Sequence, residues 1–186
     1  MNQKPETCRF HHLLLSVSAL VCLLGATETR LATAADNTLE QRVQAIEDEK
    51  EIRNLTTLYG LYLDQKNFDG YSKLFAKEGE WSGTLSGAAT IKGPDNIKAA
   101  MEKAFADRVY DPNHIVNVHL VTNVMIDVDG NRATGFMRWT VLSRNEKDEP
   151  YVRLTGRYDD IYIREDGHWK FLKRATRREI PSHPTE

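Results

Sequence analysis

Apolar residues recur at helical spacing along the first structured stretch: Leu39, Val43 and Ile46, then Ile52, Leu55, Leu58, Tyr59 and Tyr62, with one phase slip across Glu47–Glu51. Thr38 with Gln41 three residues on makes a capping box ahead of that run. The pattern predicts a long helix from about Leu39 to Leu63. Asn67 can cap a second, short helix carrying Phe68, Tyr71, Leu74 and Phe75. Glu80 to Leu85 reads as a short strand, and Gly93-Pro94-Asp95 opens a third helix to about Ala106, with Pro94 in its first turn.

From Ile115 the pattern changes to strands. Ile115–Val128 runs into Asp129-Gly130-Asn131, a hairpin turn, and Ala133–Ser143 returns. Asn145–Pro150 is a second turn. Tyr151–Arg164, Asp166-Gly167 and His168–Arg178 form another hairpin. Helices followed by a long antiparallel meander predict an α+β fold with the helices on one face of the sheet. The tail 181–186 is expected to fray.

The segment ahead of these elements has a different character. Lys4 and Arg9 precede the apolar run Leu13–Leu24, which is too short to span a bilayer as a helix, and small residues at Ala32-Thr33-Ala34-Ala35 follow. Residues 1–35 therefore read as a secretory signal peptide, with 36–180 the folded domain and the mature protein exported, periplasmic or secreted. The chain's two cysteines, Cys8 and Cys22, lie in that segment, so the exported domain has neither disulfide nor thiol chemistry.

Across 186 residues, 25 Lys+Arg against 27 Asp+Glu leave a net charge of −2. This balance excludes a dedicated nucleic-acid binder, and the high charged fraction excludes an integral membrane chain. Dinucleotide, P-loop, nucleophile-elbow and zincin motifs are all missing, so no cofactor is expected. No metal is expected either: His114 and His119, five apart on one strand, point to opposite faces.

Two residues stand out as candidates for chemistry. On the strand around His119, Val116, Val118, Leu120, Val124 and Ile126 make one apolar face interrupted by Thr122, while His119, Val121, Asn123 and Met125 make the other. A mixed face with one His and one Asn suits a lined cavity, and a hydrogen-bonded structural histidine fits it as well. Asp64 ends the first helix, where the macrodipole disfavours a carboxylate; it is either a turn residue before Asn67 or a group placed there for use. Tyr59 reads by default as a core tyrosine, and Lys170, Lys173, Arg174, Arg177 and Arg178 as the solvated side of a last strand.

Three stretches together resemble the SnoaL-like branch of the nuclear transport factor 2-like superfamily, and within it the scytalone dehydratase-like enzymes. The first runs from Ile52-Arg53-Asn54-Leu55 through Tyr59, Leu63-Asp64 and Phe68-Asp69 to Phe75, Trp81 and Ile91–Pro94. The second is His119-Leu120-Val121-Thr122-Asn123, an H-x-x-x-N strand; the third is Gly156–Tyr162 with Asp166–Phe171. The resemblance implies a cone-shaped, curved antiparallel sheet around the N-terminal helices, with a pocket inside. It also implies a catalytic His–Asp pair at His119 and Asp64, with Tyr59 as a third catalytic group and Trp81, Asn123 and Tyr158 binding substrate. Among the catalytic relatives of that branch, scytalone dehydratase has a second histidine near what is here Thr155–Gly156, and a bile-acid dehydratase an acidic residue near Leu142–Ser143; both are missing.

The function expected is that of a cofactor-independent lyase or isomerase, abstracting a proton from a small, hydrophobic, cyclic substrate. The alternative is a non-catalytic small-molecule-binding module of the same fold. The expected partners are that small molecule and a second copy of the chain in a homodimer, paired through the apolar strand face, with no nucleic acid and no membrane after signal cleavage.

Overall fold

A computed structural model of the chain describes residues 38–83 and 89–180. The expected signal peptide and frayed tail lie outside the described residues, as do the expected strand's last residues at 84–85 and His183. The described elements are helices α1 (Leu39–Asp64), α2 (Phe68–Ser72) and α3 (Pro94–Ala104), and strands β1 (Phe75–Ser82), β2 (Thr90–Lys92), β3 (Asn117–Asp129), β4 (Arg132–Arg144), β5 (Pro150–Glu165) and β6 (His168–Ile180). They build a six-stranded sheet of order β2-β1-β6-β5-β4-β3. Among the described residues no helix is long and apolar enough to cross a membrane.

Helix α1 starts as its capping box dictates, with the Thr38 N–H donating to Gln41 Oε1 at 2.8 Å and the Gln41 N–H to Thr38 Oγ1 at 3.3 Å. Its buried face runs Asp48, Ile52, Leu55, Thr56, Tyr59, Gly60 and Leu63, which is unbroken helical spacing. The apparent slip at Glu47–Glu51 is a core-facing turn filled by Asp48. Burial opposes charge on that carboxylate, yet hydrogen bonds from Arg164 and Gln44 hold its pKa below the usual value.

The β3–β4–β5–β6 meander follows the predicted turns. Gly130 at φ +57° starts the first two-residue loop. Asp166 and Gly167, at φ +52° and +82°, supply the paired positive φ angles that a tight β5–β6 hairpin requires. The helical and early strand boundaries differ from the sequence expectation. Helix α2 stops at Ser72 because Phe75 joins β1 opposite Phe171 of β6, a pairing that competes with helix continuation. That β1–β6 pairing is parallel, so the sheet is mixed rather than wholly antiparallel, and β2 adds a short edge strand beyond it.

Strand β3 departs from simple alternation. Between the pairs Thr122–Arg138 and Met125–Phe136 the register shifts, and Asn123 adopts φ +51°. Such a bulge inverts the facing of every later residue. Ahead of it Asn117, His119 and Val121 turn inward; beyond it Val124, Ile126 and Val128 do. The continuous outer face expected from the sequence is therefore split: Val116, Val118 and Leu120 are exposed, whereas Val124 and Ile126 pack against the core.

Beneath α1 the core is aromatic, with Tyr59, Tyr71, Phe75, Tyr158, Tyr162 and Phe171 all buried. At its centre Arg174 of β6 and Asp160 of β5, directly opposite across the strands, are each 0% exposed. Arg174 Nε donates to Asp160 Oδ1 at 2.9 Å and Nη2 to Oδ2 at 2.7 Å. Its guanidinium lies 4.1 Å from the ring centres of Tyr59 and Tyr158 and 4.0 Å from that of Phe171. The sequence expectation of a solvated basic edge thus fails at Arg174, because a counter-charge on the neighbouring strand admits it to the core.

Desolvation pushes the phenols of Tyr71, Tyr158 and Tyr162 well above the usual tyrosine range. Above about pH 10 the unfolded chain releases phenolic protons that the native state retains, so stability falls as pH rises. Each buried phenol contributes a slope of up to about 1.4 kcal/mol per pH unit there, and none below. Urea unfolding across that alkaline range should show the loss, and Tyr71→Phe should reduce its steepness by roughly one phenol's share.

Candidate active site

The C-terminal turn of α1 and the inward face of β3 meet at Gly60. A Cβ there would stand 3.2 Å from His119 Cβ, so only the bare backbone allows the approach without displacement. One turn later Asp64 reaches the same histidine twice. The His119 backbone N–H donates to Asp64 Oδ2 at 2.8 Å, and His119 Nδ1 lies 2.5 Å from Asp64 Oδ1. Both side chains are 14% exposed. A carboxylate facing Nδ1 favours the neutral tautomer with its proton on that nitrogen, which presents Nε2 as the acceptor.

The helix ends just beyond, and its end is built for this carboxylate. Lys66 sits at φ +58°, its N–H donating to the Leu63 carbonyl and that of Asn67 to Tyr62, a Schellman closure without glycine. The Lys66 ammonium folds back on the Leu63 carbonyl at 2.9 Å. A positive charge and two N–H donors thereby offset the unfavourable macrodipole at Asp64. Burial holds the Lys66 pKa below its ordinary value, with Arg108 lowering it further and Asp64 opposing.

His119 opens on a cavity of about 190 Å³ whose wall includes Tyr59, Leu63, Trp81, Trp139 and Tyr158. Four candidates from the sequence are therefore brought together: Tyr59, Trp81, His119 and Tyr158, with Asp64 behind the histidine. Trp81 Nε1 donates to Tyr59 Oη at 3.0 Å, which fixes the indole against the helix. Tyr158 keeps its proton because burial raises its pKa, with Tyr59 adding to the effect.

Asn123 is the exception. It is exposed and does not line the cavity, because the β3 bulge falls on it and breaks the alternation that placed it on the His119 face. His114 lines an adjoining cavity of about 340 Å³, and His168 stands 3.4 Å from Glu51, away from the dyad. Among the described residues no group of three His, Cys, Asp or Glu side chains could hold a metal.

Sequence reasoning missed several wall residues: Trp139, Thr176, Asn117, and the cations Lys66, Arg108, Arg153 and Arg178. Arg153 is the extra residue where β4–β5 pairing shifts between Val141–Leu154 and Leu142–Val152. Arg178 adjoins a similar shift between Thr155–Ile180 and Gly156–Arg178. Bulges re-aim such side chains, and period-two counting carries no signal for them.

An α+β sheet curved over helices, with a lined cavity between, defines a nuclear transport factor 2-like protein. A family model described as a SnoaL-like domain matches residues 44–175, and the chain belongs to that family. Among solved structures, the chain is similar to a Mycobacterium tuberculosis protein of unknown function at 26% identity, covering 74% of this chain and 75% of that one, with TM-score 0.60. It is similar to an NTF2-like protein with a cystatin-like fold from Novosphingobium aromaticivorans at 22% identity, covering 76% and 90%, with TM-score 0.63. It is also similar to LinA at 19% identity, covering 75% and 90%, with TM-score 0.62. No curated protein matches the chain significantly in sequence.

Gly60→Val should weaken the dyad by forcing β3 away from α1. The crowding falls on a Cβ and a backbone carbonyl rather than on a flexible tip. A change in the His119 ring ¹H–¹⁵N signals with retained far-ultraviolet circular dichroism is the expected outcome.

Proposed function

We propose that the protein is a cofactor-independent lyase or isomerase that uses His119 as general base, Asp64 to orient and stabilise the imidazolium, and the aromatic cavity to hold a small cyclic substrate. One observation carries this reading: His119, held by Asp64 at 2.5 Å, faces a cavity whose wall includes Tyr59, Trp81, Trp139 and Tyr158. In an elimination, a C–H bond adjacent to a carbonyl breaks and its proton goes to His119 Nε2. The freed electron pair becomes the new C=C bond as the leaving group on the next carbon departs with its own pair. Tyr158, held protonated, is suited to donate to the developing enolate oxygen, and Tyr59 is the second phenol within reach of the cavity. In an isomerisation the same proton returns from His119 to a different carbon. General-base work of this kind supplies about 10²–10⁴ in rate, sufficient for activated substrates.

The test is turnover by the exported domain on a panel of cyclic β-hydroxy and β-halo carbonyl compounds, followed by loss of the C–H signal in NMR. His119→Ala should lower kcat by about 10²–10⁴-fold with the fold intact. Asp64→Asn should lower it comparably by favouring the wrong tautomer. Ligands that stabilise the protein equally in both forms, with no turnover in either, would place it with the binding modules instead.

Export by removal of residues 1–35 and a homodimer through the outer face of β3 belong to the same proposal. Val116, Val118 and Leu120 are exposed there on an edge strand, the kind of surface a second copy covers. Light scattering of the exported form should give twice the chain mass, and Leu120→Lys should return it to the monomer.

A further inference from the structure

The cavity wall is apolar, but its mouth is not. Lys66, Arg108, Arg153 and Arg178 all line it, and none of the four has a carboxylate partner among the described residues. Most arginines elsewhere on the sheet are matched, Arg138 to Glu179, Arg157 to Asp159, Arg164 to Asp48 and Arg174 to Asp160, with Arg132 at the β3–β4 turn the exception. At the mouth, Arg108 rests only on the Phe105 ring, and Arg153 reaches only the Asn117 amide oxygen at 3.5 Å. Lys66, Arg108 and Arg153 also line the adjoining cavity, so they stand where the two spaces join. Asp64, Asp107 and Asp111 line that adjoining cavity as well, and of these Asp64 is committed to His119 while Asp107 and Asp111 form no ion pair with the three cations among the described residues.

Inside, two polar atoms have no hydrogen-bond partner although they are buried: Trp139 Nε1 and Thr176 Oγ1. Both belong to the cavity wall, on β4 and β6. Neither atom is itself open to the cavity, so what the wall offers a ligand is aromatic surface, which suits a ring system. The volume of about 190 Å³ limits that ring system to one or two fused rings.

We infer that the substrate is a small anionic ring compound, its carboxylate or phosphate bound at the junction by Lys66, Arg108 and Arg153 with Arg178 beside them, its ring enclosed by Trp81, Trp139 and Tyr158. This rests on the lyase reading only for the word substrate; the anion site stands on the mouth geometry. Guanidinium groups suit it because they grip either oxyanion in a two-point fork. The depressed Lys66 pKa agrees, since burial disfavours its cationic form and Arg108 adds to that, Asp64 offsetting them only in part.

Calorimetric titration of the full chain with 2-naphthoate, 2-naphthyl phosphate and neutral 2-naphthamide tests the inference. At least one of the two anions should bind ten times more tightly than the amide, and the tighter one identifies the anionic group. Raising sodium chloride should weaken that anion and leave the amide unchanged. Arg153→Gln and Arg108→Gln together should bring anion and amide within about twofold, with amide affinity retained as the internal check on folding. Equal affinities in the native protein, no binding by either anion, or a preference that survives the double substitution would each overturn it. Repeating the titration in His119→Ala separates the two readings: the anion preference persists there even where turnover is lost. Turnover of neutral compounds with no anion preference would leave the dyad standing and remove this site.

Discussion

Burying a guanidinium costs several kcal/mol unless its charge and donors are met, and Arg174 is buried completely. Desolvation works against its charge, yet the paired Asp160 outweighs it and drives the Arg174 pKa upward. Asp160 is itself supported by the Tyr162 hydroxyl, which donates to Oδ2 at 2.8 Å. The flat cation then presents its faces to Tyr59 from α1, Tyr158 from β5 and Phe171 from β6. Three elements are thereby tied to one planar group, each ring contact worth roughly 0.5–2 kcal/mol when desolvated. Tyr59 fixes the rotation of α1 about its axis. That rotation decides which helical face carries Gly60 and Asp64 toward β3, so the dyad's geometry depends on a charge pair that meets the cavity only through Tyr59 and Tyr158.

The dyad is also costly where it stands. A carboxylate at a helix C-terminus opposes the macrodipole by a few tenths to about 1 kcal/mol. The chain answers with the His119 backbone N–H and imidazole from β3 and with the Lys66 ammonium just past the helix end. Lys66 must adopt left-handed backbone to do so, a conformation uncommon outside glycine and asparagine. A simple turn aspartate would need none of these. That concentration of compensating groups is the physical argument for a working carboxylate at position 64.

What was legible from the sequence follows from which signals are local. The capping box at Thr38, the Asn67 cap and the Asp166-Gly167 turn are decided within a few residues, and α1, α2 and the β5–β6 hairpin begin or turn where those residues put them. The parallel β1–β6 pairing joins Phe75 to Phe171, far apart in the chain, and nothing local announces it. Asp48 looked like a break in the apolar period because its partner, Arg164, lies on another strand. Arg174 looked solvated for the same reason. Tyr59, Trp81 and Tyr158 were found through resemblance rather than periodicity, and Asn123 was misplaced because a bulge cannot be counted from alternation.

The bulges connect the fold to the site. An extra residue in one strand bends it and strengthens the local twist, and four such shifts lie in the β3–β4, β4–β5 and β5–β6 pairings, the strands that wall the cavity. Bending turns the inner faces of these strands toward α1 and encloses the apolar wall. The same irregularities free Arg153 and Arg178 from strict alternation, and the turns that follow α1 and α3 supply Lys66 and Arg108. A regular sheet would have sent alternate side chains outward and left the mouth without Arg153 and Arg178. The apolar interior and the charged entrance are thus two results of one backbone device, and a ligand suited to the first is held in register by the second.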